Sequence, residues 1–109
     1  MLKERIIKIL EDKKAIDIVD IDVTEKTSFA DSFIIASGTS NTHVKSLSDN
    51  IEKDLKEDRI LARKIEGYET GRWILMDYGE VIVHIFHPEE RECYDLEDLW
   101  QNTINKLEG

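Results

Sequence analysis

Hydrophobic and polar positions are most regularly spaced between Gly71 and Arg91. Two runs there, Trp73 to Tyr78 and Val81 to Phe86, are rich in β-branched and aromatic residues, which suit a pleated surface. Gly79-Glu80 lies between them and fits a two-residue type II′ turn, because glycine accepts the positive φ of the first turn position. This predicts a hairpin with a definite register. Tyr78 faces Val81, Asp77 faces Ile82, Met76 faces Val83, Leu75 faces His84, Ile74 faces Ile85 and Trp73 faces Phe86. Alternation then sorts the side chains onto two surfaces. Ile74, Met76, Tyr78, Val81, Val83 and Ile85 form an apolar core side. Trp73, Leu75, Asp77, Ile82, His84 and Phe86 form a second side, large and aromatic but interrupted by two ionisable groups. That second side is either another buried layer or a partner-binding face built on aromatic anchors. A slip of one residue would exchange the two surfaces.

The same patterning places the other elements. Leu2, Ile6, Ile9 and Leu10 make a narrow helical stripe over residues 2–13, as for a helix lying outside a sheet. Ile16 to Val23 reads as a strand with imperfect alternation, and Thr24 to Ser32 as a polar connection. Phe33 to Ser37 is a nearly continuous apolar run, expected of a strand covered on both sides. Gly38-Thr39-Ser40-Asn41 supplies turn and helix-cap chemistry. The following helix carries Val44, Leu47, Ile51 and Leu55 inward, with Asp49, Glu52, Lys53 and Lys56 mostly outward. Ile60 to Glu66 suggests a third strand and Gly67 to Gly71 a loop. His87-Pro88 ends the hairpin ladder, and Pro88 can open a short helical turn through Arg91. Asp95 suits the N-cap of a last helix with Leu96, Leu99, Trp100, Thr103 and Leu107 on its inner stripe. The predicted order is α-β-β-α-β-β-β-α, an α/β class of layered α+β type, in one domain spanning residues 1–109.

Charge narrows the partners. Against 15 Lys and Arg stand 24 Asp and Glu, a formal charge of −9. Such a surface repels phosphate backbones and suits a basic partner, so nucleic acid is not expected as the main contact. The single cysteine, Cys93, has no internal disulfide partner, which fits a reducing, cytoplasmic setting. No apolar run is long enough for a membrane span, and the N-terminus lacks the features of a targeting peptide.

Candidate chemistry is sparse. The turn at Ser37-Gly38-Thr39-Ser40 could cradle a phosphate at a helix N-terminus, but it is neither a Walker loop nor a dinucleotide fingerprint. Nucleotidyltransferases also open a helix with a Gly-Ser turn, and they hold two metal ions on paired carboxylates of the next strand. Here that region offers only Asp77, while Asp20 and Asp22 come before the turn. His84 and His87 diverge across a strand end, a poor geometry for a shared metal that Cys93 does not rescue. His43 is expected to face solvent and Cys93 to be buried packing rather than a nucleophile. Arg59, Arg63, Lys64 and Arg72 are the one basic concentration, read as a solvated face with an RNA contact as the alternative.

The stretch from Ala30 to Ser40, then Glu66-Gly67, Trp73 to Phe86, Arg91-Glu92 and Tyr94 to Trp100 together resemble the ribosomal silencing factor family, also called Iojap-like. The resemblance runs over essentially the whole chain, in order; Ser32 stands where an aromatic is common. It implies a nucleotidyltransferase-like fold without transferase activity, cofactor or metal. It further implies a translational repressor that binds the large ribosomal subunit through the basic ribosomal protein uL14. Bound there, the repressor would block joining of the small subunit and lower translation when nutrients are scarce. Carried onto this sequence, the expected partner-binding residues are Trp73, Leu75, Asp77, Tyr78 and His84, and homodimers are expected in isolation. The alternative reading is a nucleotidyltransferase-fold enzyme or nucleotide-binding protein.

Overall fold

The computed structural model describes residues 2–92 apart from Thr27 and Phe29. The predicted last helix from Asp95 and the expected packing role of Cys93 lie outside those residues. In chain order the elements are α1 (Leu2–Asp12), β1 (Ile16–Asp22), β2 (Ser32–Ser37), α2 (Asn41–Glu57), β3 (Lys64–Glu66), β4 (Trp73–Asp77), β5 (Val81–Phe86) and α3 (Pro88–Glu92). The five strands form one mixed sheet in the order β1-β2-β5-β4-β3. Only β2 and β5 run parallel; the other neighbours are antiparallel. The fold class is therefore mixed α+β, as the pattern predicts.

The long helices have sequence-encoded ends. Ser40 is extended at the N-cap of α2, and its hydroxyl accepts the His43 amide. At the other end of each long helix a non-glycine residue takes the left-handed conformation, Lys14 (φ 66°) after α1 and Arg59 (φ 64°) after α2. The amides of Ala15 and Ile60 then reach back to the carbonyls of Leu10 and Leu55, both at 2.9 Å, closing the C-terminal turns.

Both helices bury their stripes on one face of the sheet. Ile6 and Leu10 of α1 and Val44, Leu47, Ile51 and Leu55 of α2 pack with Ile34, Ala36, Ile74, Met76, Tyr78, Val81, Val83 and Ile85. Every hairpin residue assigned to the core side lies in this cluster. The Arg5 guanidinium joins the helices by donating to the carboxylates of Asp54 (2.9 Å) and Asp58. The central strands β2 and β5 are buried at all six of their positions, so the opposite face is covered too.

Two boundaries differ from the sequence reading, and the irregular alternation of β1 finds its cause. Ser32 opens β2 rather than closing the preceding connection. The third strand shrinks from Ile60–Glu66 to Lys64–Glu66, because the Ile60 amide is used to close α2 and only three residues find register on β4. Leu61 is left 65% exposed as a result. In β1 the alternation is imperfect because the register on β2 shifts between Ile16 and Val19, where Asp17 has φ 50°.

Candidate functional site

The hairpin has the register the alternation predicts, from Trp73 opposite Phe86 to Asp77 opposite Ile82. Gly79 takes φ 87° in the turn, and the Tyr78 amide bonds the Val81 carbonyl at 2.9 Å. The Asp77 carboxylate also serves this turn, since its Oδ1 accepts the Gly79 amide at 2.8 Å.

Pairing in register extends the second face across the whole sheet. Phe33 and Ile35 of β2 lie beside Ile82 and His84 of β5, while Lys64 and Glu66 of β3 lie beside Asp77 and Leu75 of β4. The face thus grades from a buried centre to a charged margin. Val23, Ala30, Phe33 and Ile82 form one buried cluster, and Ile35 with Phe86 another. Trp73, Leu75 and Asp77 are partly exposed toward the β3 margin, where Lys64 and Glu66 pair at 3.1 Å. Glu66, Gly67, Trp73 and Leu75 line a shallow depression there. Gly67 is indispensable to its shape, because a β-carbon at that position would stand 2.0 Å from the Trp73 carbonyl oxygen.

His84 anchors the indole. Trp73 Nε1–H donates to His84 Nδ1 at 3.1 Å, and the indole stacks on Phe86 with ring centroids 5.0 Å apart. Phe33 meets the imidazole edge-on, with centroids 5.6 Å apart. With Nδ1 accepting, the proton of the neutral ring sits on Nε2, which is buried without a hydrogen-bond partner. Burial pushes the imidazole pKa down to about 4.

Four of the five expected contact residues, Trp73, Leu75, Asp77 and His84, therefore share one face. Tyr78 does not join them. Its position in the turn directs it to the helix-covered side, where it is buried in the main core with its hydroxyl unpartnered. Desolvation there, and then the Glu52 charge, push its phenol up to about 12. His84 is itself buried, at 1% exposure, so it sits beneath the face and positions Trp73.

The other candidates resolve into structural roles. His43 is partly exposed, and both of its ring nitrogens are hydrogen-bonded. Its Nδ1 accepts the Thr39 amide at 2.8 Å and its Nε2–H donates to the Lys13 carbonyl at 2.9 Å, linking the start of α2 to the end of α1. The Gly38 turn is consequently occupied by the chain itself, with the Gly38 amide bonded to the Phe86 carbonyl at 3.0 Å. Asp20 pairs with Lys3 at 3.2 Å, and Asp22 accepts the Thr24 amide and hydroxyl. His87 Nδ1 accepts the Glu89 amide at the start of α3, away from His84. The basic residues separate: Arg63 lies against Gly79, Lys64 pairs with Glu66, and Arg72 pairs with Glu90 (2.9 Å) and Glu89 (3.5 Å).

Comparison with known proteins decides the family. A model of the family described as ribosomal silencing factor during starvation matches residues 2–108. The chain belongs to the ribosomal silencing factor family. The factor from Chromobacterium violaceum is 42% identical over 94 residues, covering 86% of this chain and 77% of that protein. The factor from Halalkalibacterium halodurans is 39% identical over 101 residues, covering 92% of this chain and 86% of its own. A Chromobacterium violaceum crystal structure superposes with a TM-score of 0.85 at 39% identity, covering 92% of this chain and 83% of that one. A more distant mouse relative, 33% identical, is named mitochondrial assembly of ribosomal large subunit protein 1; the match covers 89% of this chain and 44% of that protein. The family is named for regulation of the ribosome and not for a catalysed reaction.

Proposed function

We propose that this chain represses translation by binding the large ribosomal subunit through the basic ribosomal protein uL14 and blocking joining of the small subunit. The observation that carries the ribosomal reading is the family match over residues 2–108. The large subunit as the target is supported by the name of the mouse relative. A basic protein as the docking point is supported by the formal charge of −9 and by the Trp73-Leu75-Asp77 margin. Trp73 is the anchor, Leu75 lines the depression beside it, and Asp77 meets a Lys or Arg of the partner. His84 acts from below by holding the indole, and Tyr78 takes no direct part. The protein acts in the cytoplasm when nutrients are limiting, and forms homodimers when free of ribosomes.

The nucleotidyltransferase-like label implied by the resemblance belongs to the same proposal. Transferase chemistry is disfavoured because His43 takes up the amide of the Gly38 turn, and Asp20 and Asp22 are engaged elsewhere.

A subunit-joining assay tests the reading. Large subunits incubated with the purified protein should join small subunits more slowly, by light scattering, and the protein should co-sediment with large subunits alone. Undiminished joining at saturating protein, or co-sedimentation with small subunits only, would overturn it.

A further inference from the structure

After α2 closes, the run Arg59-Ile60-Leu61-Ala62-Arg63-Lys64 carries three cations and no carboxylate, in a chain of formal charge −9. The run is fixed at both ends. Arg59 is left-handed, the Ile60 amide bonds the Leu55 carbonyl at 2.9 Å, and the Arg63 amide bonds the Asp77 carbonyl at 2.7 Å. Between these ties the side chains alternate. Ile60 and Ala62 pack against the main core, while Arg59, Leu61 and Arg63 are exposed. Solvent therefore meets a row of arginine, leucine and arginine.

Two independent features set this row apart. Leu61 is 65% exposed, against 40% for Ile16 and 38% for Tyr68, the other large hydrophobic residues exposed among those described. The two guanidinium groups are also left without carboxylates. Arg5 and Arg72 are ion-paired, but Arg59 and Arg63 have no ion-pair partner among the described residues. The flanking carboxylates are engaged elsewhere, Asp58 by Arg5 and Glu66 by Lys64. Arg63 lies instead over the hairpin turn, where a β-carbon on Gly79 would stand 3.2 Å from its guanidinium. Planar guanidinium groups that no carboxylate holds are suited to phosphate, which they bind through two parallel hydrogen bonds.

The position of the row names the anion. Lys64, which follows Arg63, lies opposite Asp77 in the pairing of β3 with β4, so the row borders the Trp73-Leu75-Asp77 margin. Once that margin is docked on a large ribosomal subunit, the prevalent anion around it is RNA phosphate. We infer that Arg59 and Arg63 then bind phosphates of ribosomal RNA, with Leu61 packed on a sugar or base between them. The contact rests on the large-subunit reading and adds a second partner to it. Arg59 and Arg63 are up to about 14 Å apart along the chain, far enough for each to hold its own phosphate. The acidic surface elsewhere does not forbid the contact, because charges are screened over about 8 Å at physiological salt. Docking on the protein supplies a proximity that free RNA lacks, so RNA alone is bound weakly.

Affinities for large subunits and for isolated uL14, measured in parallel at several salt concentrations, test the assignment. Arg59→Gln with Arg63→Gln should weaken subunit binding about tenfold and flatten the slope of log affinity on log salt by about 1.4–1.8, the loss of two phosphate contacts. The same variant should bind isolated uL14 like the wild type, which also reports that it is folded. Lys53→Gln with Lys56→Gln, an equal change of charge on the outward face of α2, should leave both affinities unchanged. A benzophenone side chain placed at Leu61 should cross-link to ribosomal RNA. Unchanged affinity and slope for the arginine variant, an equal loss with the lysine pair or on isolated uL14, or cross-links to protein alone would overturn the inference and leave the large-subunit reading standing. Failure of the wild type to bind large subunits would instead overturn both.

Discussion

Acid should destabilise this protein through His84 in a way that one substitution removes. The imidazole is buried, its pKa is lowered from 6.5 to about 4, and its Nδ1 is committed as acceptor of the Trp73 indole proton. At neutral pH the ring is uncharged in the folded chain and mostly so in the unfolded one. As pH falls below about 6.5 the unfolded chain takes up a proton that the folded chain refuses, so unfolding is favoured increasingly until about pH 4. At about 1.4 kcal/mol per pKa unit, the gap amounts to about 3 kcal/mol, a large share of a small domain's stability. His84→Phe keeps the aromatic volume and abolishes this titration. Urea denaturation of both proteins from about pH 7 to pH 4.5 isolates the effect, because the 24 acidic residues are common to both and cancel in the comparison. Wild-type stability should fall more steeply with acid, by about 2–3 kcal/mol over the range. The His84 ring resonances should show no titration near pH 6.5 in the folded protein. Parallel pH profiles for the two proteins, or a folded-state titration near 6.5, would refute the reasoning.

Other substitutions test the geometry around the face. Trp73→Phe keeps the stacking on Phe86 but leaves His84 Nδ1 without its donor; thermal denaturation should show a loss of about 1–3 kcal/mol. Gly67→Ala forces a β-carbon onto the Trp73 carbonyl, so a loss above about 3 kcal/mol is expected in the same assay, with amide shifts centred on Trp73. Gly79→Ala strains a φ of 87° and should cost about 1 kcal/mol in urea midpoint measurements. His43→Ala removes the link between the ends of α1 and α2 and should cost about 1–2 kcal/mol by thermal denaturation, with faster amide exchange at Thr39.

Much of this architecture is legible in the sequence because it is set locally. The hairpin register follows from a Gly-Glu pair between alternating runs, and the stripe of α2 from four apolar residues at helical spacing. The third strand is less legible, because its length depends on where β4 offers partners and on how α2 closes through Ile60. The tie made by His43 is hidden for a different reason: its second partner, the Lys13 carbonyl, lies 30 residues away and leaves no local trace. The two-sided burial of β5 could not be chosen over an open binding face, since Trp73, Ile82, His84 and Phe86 suit either. The structure buries His84 and leaves Trp73, Leu75 and Asp77 partly exposed. Tyr78 marks the limit of carrying residues over from a family, because alternation already turns it toward the core.

The most direct test of the account is large-subunit binding by a Trp73→Ala, Asp77→Lys double variant whose fold has been verified by circular dichroism and amide NMR. Loss of the aromatic anchor and reversal of the charge against a basic surface should weaken binding about tenfold or more, equivalent to at least about 1.4 kcal/mol. Added salt should weaken the wild type more than Asp77→Ala, as a partly exposed ion pair requires. Wild-type affinity for large subunits in the folded double variant would contradict the account and place the docking surface on another face.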